Sequence, residues 1–275
     1  MSVRGCFYGG QTIVQERNLL YICRMKRILT CLLVVLCSFG VSAQEQIYNL
    51  SFDNWSKTKS VWNLYRSDAP ERERVWDSAN SAISLLGIGG TTTPEYAHVA
   101  VEGKGKAACR IESKKILWTL VSGNVYTGKY LRLVDFKGIE SNFGLPFTGR
   151  PKSLSGYYHY IPKTVDHAKA PYLSMKGKQD IGRIEVLLLD ITSPLVIDTT
   201  KDMLPEEGDP RVIGYARLKI VNATDDYVHF KLDFKYKDER TPGYIVLAAA
   251  SSFYGAFYTG AVGSVLYIDE FKLNY

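Results

Sequence analysis

The sequence predicts an all-β protein, built as an antiparallel sandwich or barrel in one domain. Several stretches alternate apolar and polar residues with a period of two, which is typical of half-buried strands. Glycine or proline separates most of these stretches, and residues with a helical period are scarce. Tyrosine, which is favoured in strands, is abundant at 19 residues.

The clearest strand is predicted at residues 227–236, where Val228, Phe230, Leu232, Phe234 and Tyr236 share one face and charged residues occupy the other. Further strands are predicted at residues 183–191, 212–221, 244–250 and 262–273. Residues 68–84 are the best helical candidate, although the pattern indicates an irregular one.

Residues 25–43 have the features of a secretory signal peptide. A basic start, Met25-Lys26-Arg27, precedes an uncharged apolar run at 28–41, and Val41 and Ala43 suit the −3 and −1 positions of a cleavage site. We interpret residues 1–24 as an over-extended gene start, the alternative being an unusually long basic region. The sequence thus predicts an exported product, residues 44–275, without a transmembrane segment.

Removal of this leader changes the charge and the cysteine count. The formal net charge of +6 falls to about +2, because 29 Lys and Arg then face 27 Asp and Glu. With no basic block, nucleic acid is excluded as a partner. Four of the five cysteines leave, and the remaining Cys109 is interpreted as a buried structural residue rather than a nucleophile.

Motifs for phosphate, dinucleotide or zinc binding are absent from the sequence, and its four histidines are scattered. Ser251 and Ser252 have no readable base. Glu185 and Asp190 lie five positions apart on one predicted strand, so they face opposite sides and form no catalytic pair. Carboxylates from different strands can still converge.

Two segments, residues 144–160 and 251–264, combine aromatic residues, glycines and a few polar groups. Aromatic rings stack on the flat C–H faces of sugars, while polar side chains bind the hydroxyls. The alternative is that the same tyrosines fill the core. The candidate ligand-binding residues are Asn124, Tyr126, Arg150, Tyr158, His159, Tyr160, Tyr254 and Tyr258.

Together with the run at 122–128 and the ending from Tyr244 to Tyr275, these segments resemble a bacterial family called the putative carbohydrate metabolism domain. The resemblance covers roughly residues 48–275. It implies a jelly-roll β-sandwich exported by Gram-negative bacteria that degrade glycans. It implies a biological context and not a mechanism.

A broader resemblance links the chain to jelly-roll carbohydrate-binding modules, through Phe52-Asp53-Asn54-Trp55 and the acidic pair before the final hydrophobic residues. Such modules often hold a structural calcium ion, which implies Asp53 and Asp269 as candidate ligands. The alternative is that Asp269 accepts hydrogen bonds where the terminal strands pair. No other cofactor is expected.

Three hypotheses follow. The first is an exported glycan-binding or accessory protein of polysaccharide utilisation, whose partner is a polysaccharide or oligosaccharide. The second is a glycoside hydrolase or a polysaccharide lyase on the same fold; a lyase would use a cluster of Arg150, Tyr158 and His159. The third is a structural or adhesion protein. The sequence indicates no particular oligomeric state.

Overall fold

The computed structural model describes residues 45–87, 90–135 and 138–275. Glu45–Tyr275 form one compact unit. The predicted gene start at 1–24 and the signal peptide at 25–43 lie outside the described residues. Within the described ranges, no helix has the length and apolar character needed to cross a membrane.

The described residues form eighteen strands. They are β1 (Ser56–Thr58), β2 (Val61–Asn63), β3 (Trp76–Ser78), β4 (Thr92–Glu95), β5 (Ala108–Glu112), β6 (Lys114–Ile116), β7 (Thr119–Val121), β8 (Asn124–Val134), β9 (Gly138–Phe143), β10 (Leu145–Pro146), β11 (Ser153–Ile161), β12 (Gly182–Leu189), β13 (Leu195–Asp198), β14 (Val212–Ile220), β15 (Val228–Asp233), β16 (Lys235–Tyr236), β17 (Tyr244–Ala250) and β18 (Val265–Asn274). One α-helix, α1 (Ala79–Ile83), accompanies 3-10 turns at Glu71–Glu73, Ser84–Leu86, Leu173–Met175 and Gly255–Phe257 in this part of the chain.

Two antiparallel sheets make up the fold. The larger has the order β13-β9-β8-β17-β12-β14-β16, with β3 added to β8 and β10 added to β17. The smaller has the order β15-β11-β18-β5-β4, and β1-β2 and β6-β7 are separate hairpins. This arrangement confirms the predicted all-β, antiparallel jelly-roll sandwich.

The main core lies between the two sheets, and the large sheet is also covered on its outer face. On β17, Ile245 and Leu247 pack in the main core, whereas Val246 and Ala248 belong to a second apolar cluster beneath the segment that carries β13. A strand buried on both faces reads as a continuous apolar run, as β17 does. Cys109 is fully buried in the main core, as predicted, and burial raises the pKa of its thiol.

The strand predicted at 227–236 is two strands in different sheets. β15 pairs with β11 in the smaller sheet, and β16 pairs with β14 in the larger one. The chain crosses between the sheets at Phe234, which is buried together with Phe230. Val228, at the start of the edge strand β15, is 41% exposed and departs from the predicted apolar face. The other predicted strands correspond to β12, β14, β17 and β18.

The helical candidate at 68–84 is irregular, as predicted. It divides into a 3-10 turn, the short strand β3, the single turn of α1 and a second 3-10 turn. The Ser78 side chain caps α1 by accepting a hydrogen bond from the amide of Asn80 at 3.3 Å. Because β3 pairs with β8, Trp76 faces the main core and Asp77 faces the opposite side.

Candidate functional site

A groove of about 200 Å³ lies beside β3, between the β1-β2 hairpin and the first half of β8. We call it the Trp62 groove. Both aromatic and polar side chains line it. Its lining residues are Trp62, Asn63, Leu64, Tyr65, Glu71, Arg74, Trp76, Asp77, Ser78, Ser81, Lys129 and Tyr130.

Three half-buried rings, those of Trp62, Tyr65 and Tyr130, form the aromatic part of the wall. Two of them carry a cation on one side. The Nζ of Lys57 lies 5.1 Å from the Trp62 ring centroid, and the guanidinium of Arg74 lies 5.0 Å from that of Tyr65. Such contacts favour a fixed ring orientation over a freely rotating one.

Asp77 is the most firmly held polar residue of the groove. One carboxylate oxygen accepts hydrogen bonds from the Ser78 amide at 2.7 Å and from the Ser81 hydroxyl at 2.5 Å. The other accepts one from the amide of Tyr130 at 2.8 Å. Burial raises the pKa of the Asp77 carboxyl, although these hydrogen bonds oppose the shift.

The remaining polar groups of the groove differ in how well they are satisfied. Lys129 donates a hydrogen bond to Glu71, which lowers the pKa of that exposed carboxyl. In contrast, the hydroxyl of Tyr130 is buried and has no hydrogen-bond partner among the described residues. A buried hydroxyl without a partner costs free energy, so a ligand that supplies one is favoured there.

Two of the predicted ligand-binding tyrosines are core residues. Tyr126 is 3% exposed and its hydroxyl lies 3.0 Å from the Ser141 hydroxyl, while Tyr160 is fully buried and donates to the Ser251 carbonyl at 2.9 Å. Both predictions are wrong, because a ring without exposed area cannot stack on a sugar. The alternative, that alternate tyrosines fill the sandwich, holds for these two positions.

Arg150, Tyr158 and His159 are not brought together, so the predicted lyase cluster does not form. Arg150 donates to the carbonyls of Asp238 and Arg240. Tyr158 packs against the main core, whereas His159 lies on the opposite face of β11 and stacks on Tyr267 at 5.4 Å. Adjacent residues on a strand face opposite sides, which separates these two side chains.

Tyr254 and Tyr258 are half-buried in the loop after β17. Tyr254 contacts the ring of Tyr172 at a centroid distance of 4.1 Å, and the Nζ of Lys169 lies 4.4 Å from the Tyr258 ring centroid. These two tyrosines therefore retain exposed aromatic area at the surface, as a ligand-binding role requires. They lie in a different part of the chain from the Trp62 groove.

A family model described as "Putative carbohydrate metabolism domain" matches residues 51–274. The chain belongs to this family. The match spans both sheets and every residue that lines the Trp62 groove. It confirms the resemblance that the sequence motifs indicated.

Two solved structures share the fold. A putative glycoside hydrolase from Bacteroides thetaiotaomicron VPI-5482 is 21% identical, with 85% of this chain and 72% of that chain covered and a TM-score of 0.63. A second, from Bacteroides vulgatus ATCC 8482, is 19% identical, with coverages of 82% and 96% and a TM-score of 0.62. No curated protein matches the sequence.

The run at 122–128, one of the family features, builds the framework of the groove. The Asn124 side chain accepts a hydrogen bond from the Ala79 amide at 2.9 Å and so fixes the start of α1. Tyr126 lies directly opposite Asp77 in the β3–β8 pairing. Asn124 therefore fixes the start of the turn that carries Ser81, and it does not line the groove itself.

The two aspartates predicted as calcium ligands both accept hydrogen bonds from backbone amides. Asp53 accepts hydrogen bonds from the amides of Lys106 and Ala107 through one oxygen. Both oxygens of Asp269 accept amide hydrogens, from Ala100 at 2.9 Å and Glu270 at 2.8 Å. Across the described ranges, no group of three or more His, Cys, Asp or Glu is placed to hold a metal ion.

Asp269 gives a pH-dependent prediction. Burial raises its pKa to about 6, and the nearby charges of Glu270 and Asp53 contribute. A raised carboxyl pKa stabilises the folded protein at low pH, and this stabilisation is lost as the pH rises through about 6. We expect the melting temperature of the wild type to fall relative to that of Asp269→Asn between about pH 4 and about pH 6.5, with no further change above that range.

Added calcium separates the two readings of Asp269. If the carboxylate only accepts backbone hydrogen bonds, millimolar calcium leaves this relative pH dependence unchanged. Were Asp53 and Asp269 to bind calcium, the ion would hold Asp269 ionised, raise the melting temperature and abolish the difference between the two proteins near pH 7. A chelator would then reverse the effect.

Ser251 and Ser252 have an acidic neighbour that the sequence did not indicate. The Ser113 hydroxyl lies within 2.8 Å of both serine hydroxyls, and Ser252 donates to Asp180 at 2.6 Å. All four residues are buried. The network joins the segments before β6, before β12 and after β17, and its burial keeps the serine hydroxyls away from solvent.

The groove residues were missed because they come from separate segments that meet only when β3 pairs with β8. One signal was present. Three of the four tryptophans, Trp55, Trp62 and Trp76, fall within 22 residues, and Tyr65 lies among them. Neither of the two candidate segments contains a tryptophan, so the concentration of tryptophan marks this stretch.

Proposed function

We propose that this protein is an exported glycan-binding or accessory protein of polysaccharide utilisation and that it binds glycan in the Trp62 groove. The observation that carries the proposal is the unpartnered Tyr130 hydroxyl in a groove walled by the rings of Trp62 and Tyr65. Family membership supports a carbohydrate ligand. Export is supported by the predicted signal peptide at residues 25–43.

The chemistry of the groove suits a sugar. The rings of Trp62 and Tyr65 offer flat apolar area for a C–H face, while Asn63, Ser81 and Tyr130 offer hydrogen-bonding groups for hydroxyls. The volume, about 200 Å³, is below the roughly 300–1,000 Å³ of sites that enclose drug-sized ligands. The groove therefore suits one sugar unit of a longer chain.

Replacing Trp62 tests the proposal. We expect Trp62→Ala to lower the affinity for the bound glycan by at least about tenfold, or about 1.4 kcal/mol, because the stacking surface is lost. A glycan array identifies the ligand, and isothermal titration calorimetry on the best binder gives the affinities. The melting temperature should change little, since Trp62 is only half-buried.

Trp118 is the matched control, because this tryptophan is 83% exposed at the tip of the β6-β7 hairpin and away from the groove. Trp118→Ala should bind like the wild type. If both substitutions lower the glycan affinity equally, or if Trp62→Ala does not lower it, the glycan binds elsewhere and the groove is not its site.

Cleavage of the glycan is the second candidate function, and the two carboxyls of the groove favour it. Burial raises the pKa of Asp77, and the hydrogen bond from Lys129 lowers that of Glu71. Glycosidic cleavage needs one protonated and one ionised carboxyl, so carboxyls whose pKa values are shifted apart suit that chemistry. Against it, both carboxylate oxygens of Asp77 already accept hydrogen bonds from protein groups.

A reducing-end assay on any bound glycan decides between binding and cleavage. Under the binding proposal, no new reducing ends appear at any pH between about 4 and 8. The length of the glycan stays unchanged when the groove is saturated. If the wild type produces new reducing ends and Glu71→Gln does not, the protein is a hydrolase. Glu71 is exposed, so its replacement spares the fold.

A further inference from the structure

Four aromatic rings at one end of the sandwich contact each other in series. Phe253 lies 4.9 Å from Tyr254, Tyr254 lies 4.1 Å from Tyr172, and Tyr172 lies 4.9 Å from Phe257, as ring centroid distances. All four residues are half-buried. We call this set the Phe253 platform. It presents continuous aromatic area to solvent, from the loops after β11 and β17.

Two cations converge on one ring of the platform. The guanidinium of Arg183 lies 5.2 Å and the Nζ of Lys219 lies 4.6 Å from the Phe253 ring centroid. Arg183 on β12 and Lys219 on β14 are directly opposite each other in the pairing of the two strands. Like charges at this spacing repel, so an anion bound between them lowers the electrostatic energy.

These cations are only partly neutralised by the protein. Arg183 forms one ion pair, with Glu185 at 3.1 Å, and its buried Nε has no hydrogen-bond partner among the described residues. In the same part of the chain, Lys219 has its ring contact but no carboxylate within ion-pair distance. An anionic group therefore finds an ammonium and a partly exposed guanidinium beside a flat ring.

The chain around the platform adds further positive charge. Residues 163–183 contain Lys163, Lys169, Lys176 and Lys178, and none of these forms an ion pair within the described ranges. The acids in this segment are Asp166 and Asp180, and Asp180 is buried in the serine network. Positive charge is thus concentrated at this end, although the chain from residue 44 is nearly neutral.

We propose that the Phe253 platform binds an anionic saccharide unit, with a sugar face on the rings and a carboxylate or sulfate group against Lys219 and Arg183. A neutral sugar would use the rings but leave Lys219 without a counter-charge. The site is distinct from the Trp62 groove, and it rests on the proposed function only in that the ligand is a glycan. Family membership favours a saccharide over another polyanion.

Affinity electrophoresis or calorimetry on the full exported protein tests this proposal with polygalacturonate, dextran sulfate and neutral dextran as probes. We expect at least one anionic probe to bind more tightly than neutral dextran, with an affinity that falls as salt rises. Binding of polygalacturonate alone identifies a carboxylate ligand, and binding of dextran sulfate alone identifies a sulfate ligand.

Lys219→Gln should weaken anionic binding by about threefold to tenfold and flatten its salt dependence. Tyr254→Ala should weaken anionic binding, because one stacking ring is lost, without changing the salt dependence of that binding. The matched control is Lys272→Gln, at an exposed lysine on β18 of the smaller sheet. That variant keeps the wild-type affinity, and circular dichroism of each variant verifies its fold.

Two results would overturn the proposal. One is equal binding of neutral and anionic probes together with an unchanged affinity in Lys219→Gln. The other is equal competition by a single-stranded oligonucleotide, which would make the surface a general polyanion site. Trp62→Ala separates the two sites: it should leave anionic binding at the platform intact, so the failure of one proposal does not imply failure of the other.

Discussion

Gly128→Ala should destabilise the protein by about 3–5 kcal/mol, because the substitution combines backbone strain with a steric clash. Gly128 has a φ of 144°, and a Cβ atom there would lie 2.0 Å from the carbonyl oxygen of Asn142 on β9. Neither atom can move without separating β8 from β9. Chemical denaturation of the variant and the wild type measures the loss, provided that the free energy of unfolding of both proteins depends equally on denaturant concentration.

Gly177→Ala is the control for the strain alone. Gly177 also has a positive φ, 81°, but a Cβ at that position meets no atom within 4 Å. We expect a cost of about 1 kcal/mol there. If Gly128→Ala loses no more stability than Gly177→Ala, β9 moves away from the added Cβ at little cost. The close approach of Gly128 to Asn142 would then contribute little to stability.

Gly128→Ala should also affect ligand binding, because Gly128 precedes two residues of the groove. Its amide donates to the carbonyl of Val75 at 2.9 Å, next to β3. Lys129 and Tyr130 follow it directly and line the groove. A displaced β8 therefore moves the groove wall, and glycan affinity should fall together with stability. This links the glycine of the family motif to the site that we propose.

Local patterns predicted the strands well where one strand stays in one sheet. Residues 244–250 coincide with β17, since an apolar run between glycine-rich turns is a strong strand signal. The pattern failed at Phe234, where the alternation continues but the chain passes from one sheet to the other. Alternation records which residues share a face. It does not record which sheet that face belongs to.

The site was harder to predict for a related reason. Tyr126 packs in the second apolar cluster, beneath the segment that carries β13, and the sequence around Tyr126 does not indicate this cover. Tyr254 and Trp62 are both half-buried, in a loop and a hairpin where no period applies. Burial of each tyrosine is thus decided by distant chain segments, and the sequence near the residue contains little information about it.

Glu185→Ala should cost about 3–5 kcal/mol, because it removes the central carboxylate of a buried ion-pair cluster. Glu185 is fully buried on β12, with Arg183 at 3.1 Å and Arg217 at 2.9 Å. Two guanidinium groups, each less than one-fifth exposed, would then share one face without that compensating charge. Glu185→Gln retains the shape and one acceptor oxygen, so we expect an intermediate loss.

Glu206→Gln provides a control at the same arginine. Glu206 also pairs with Arg217, at 2.8 Å, but its carboxylate is 74% exposed. An exposed pair contributes roughly 0–1 kcal/mol, and added salt weakens it further. The loss caused by Glu185→Ala should persist at about 1 M salt, since a buried pair is screened far less. If both variants lose the same stability, or if salt removes both effects, Glu185 acts as a surface charge. Arg183 would then hold its position beside Phe253 without the charge of Glu185.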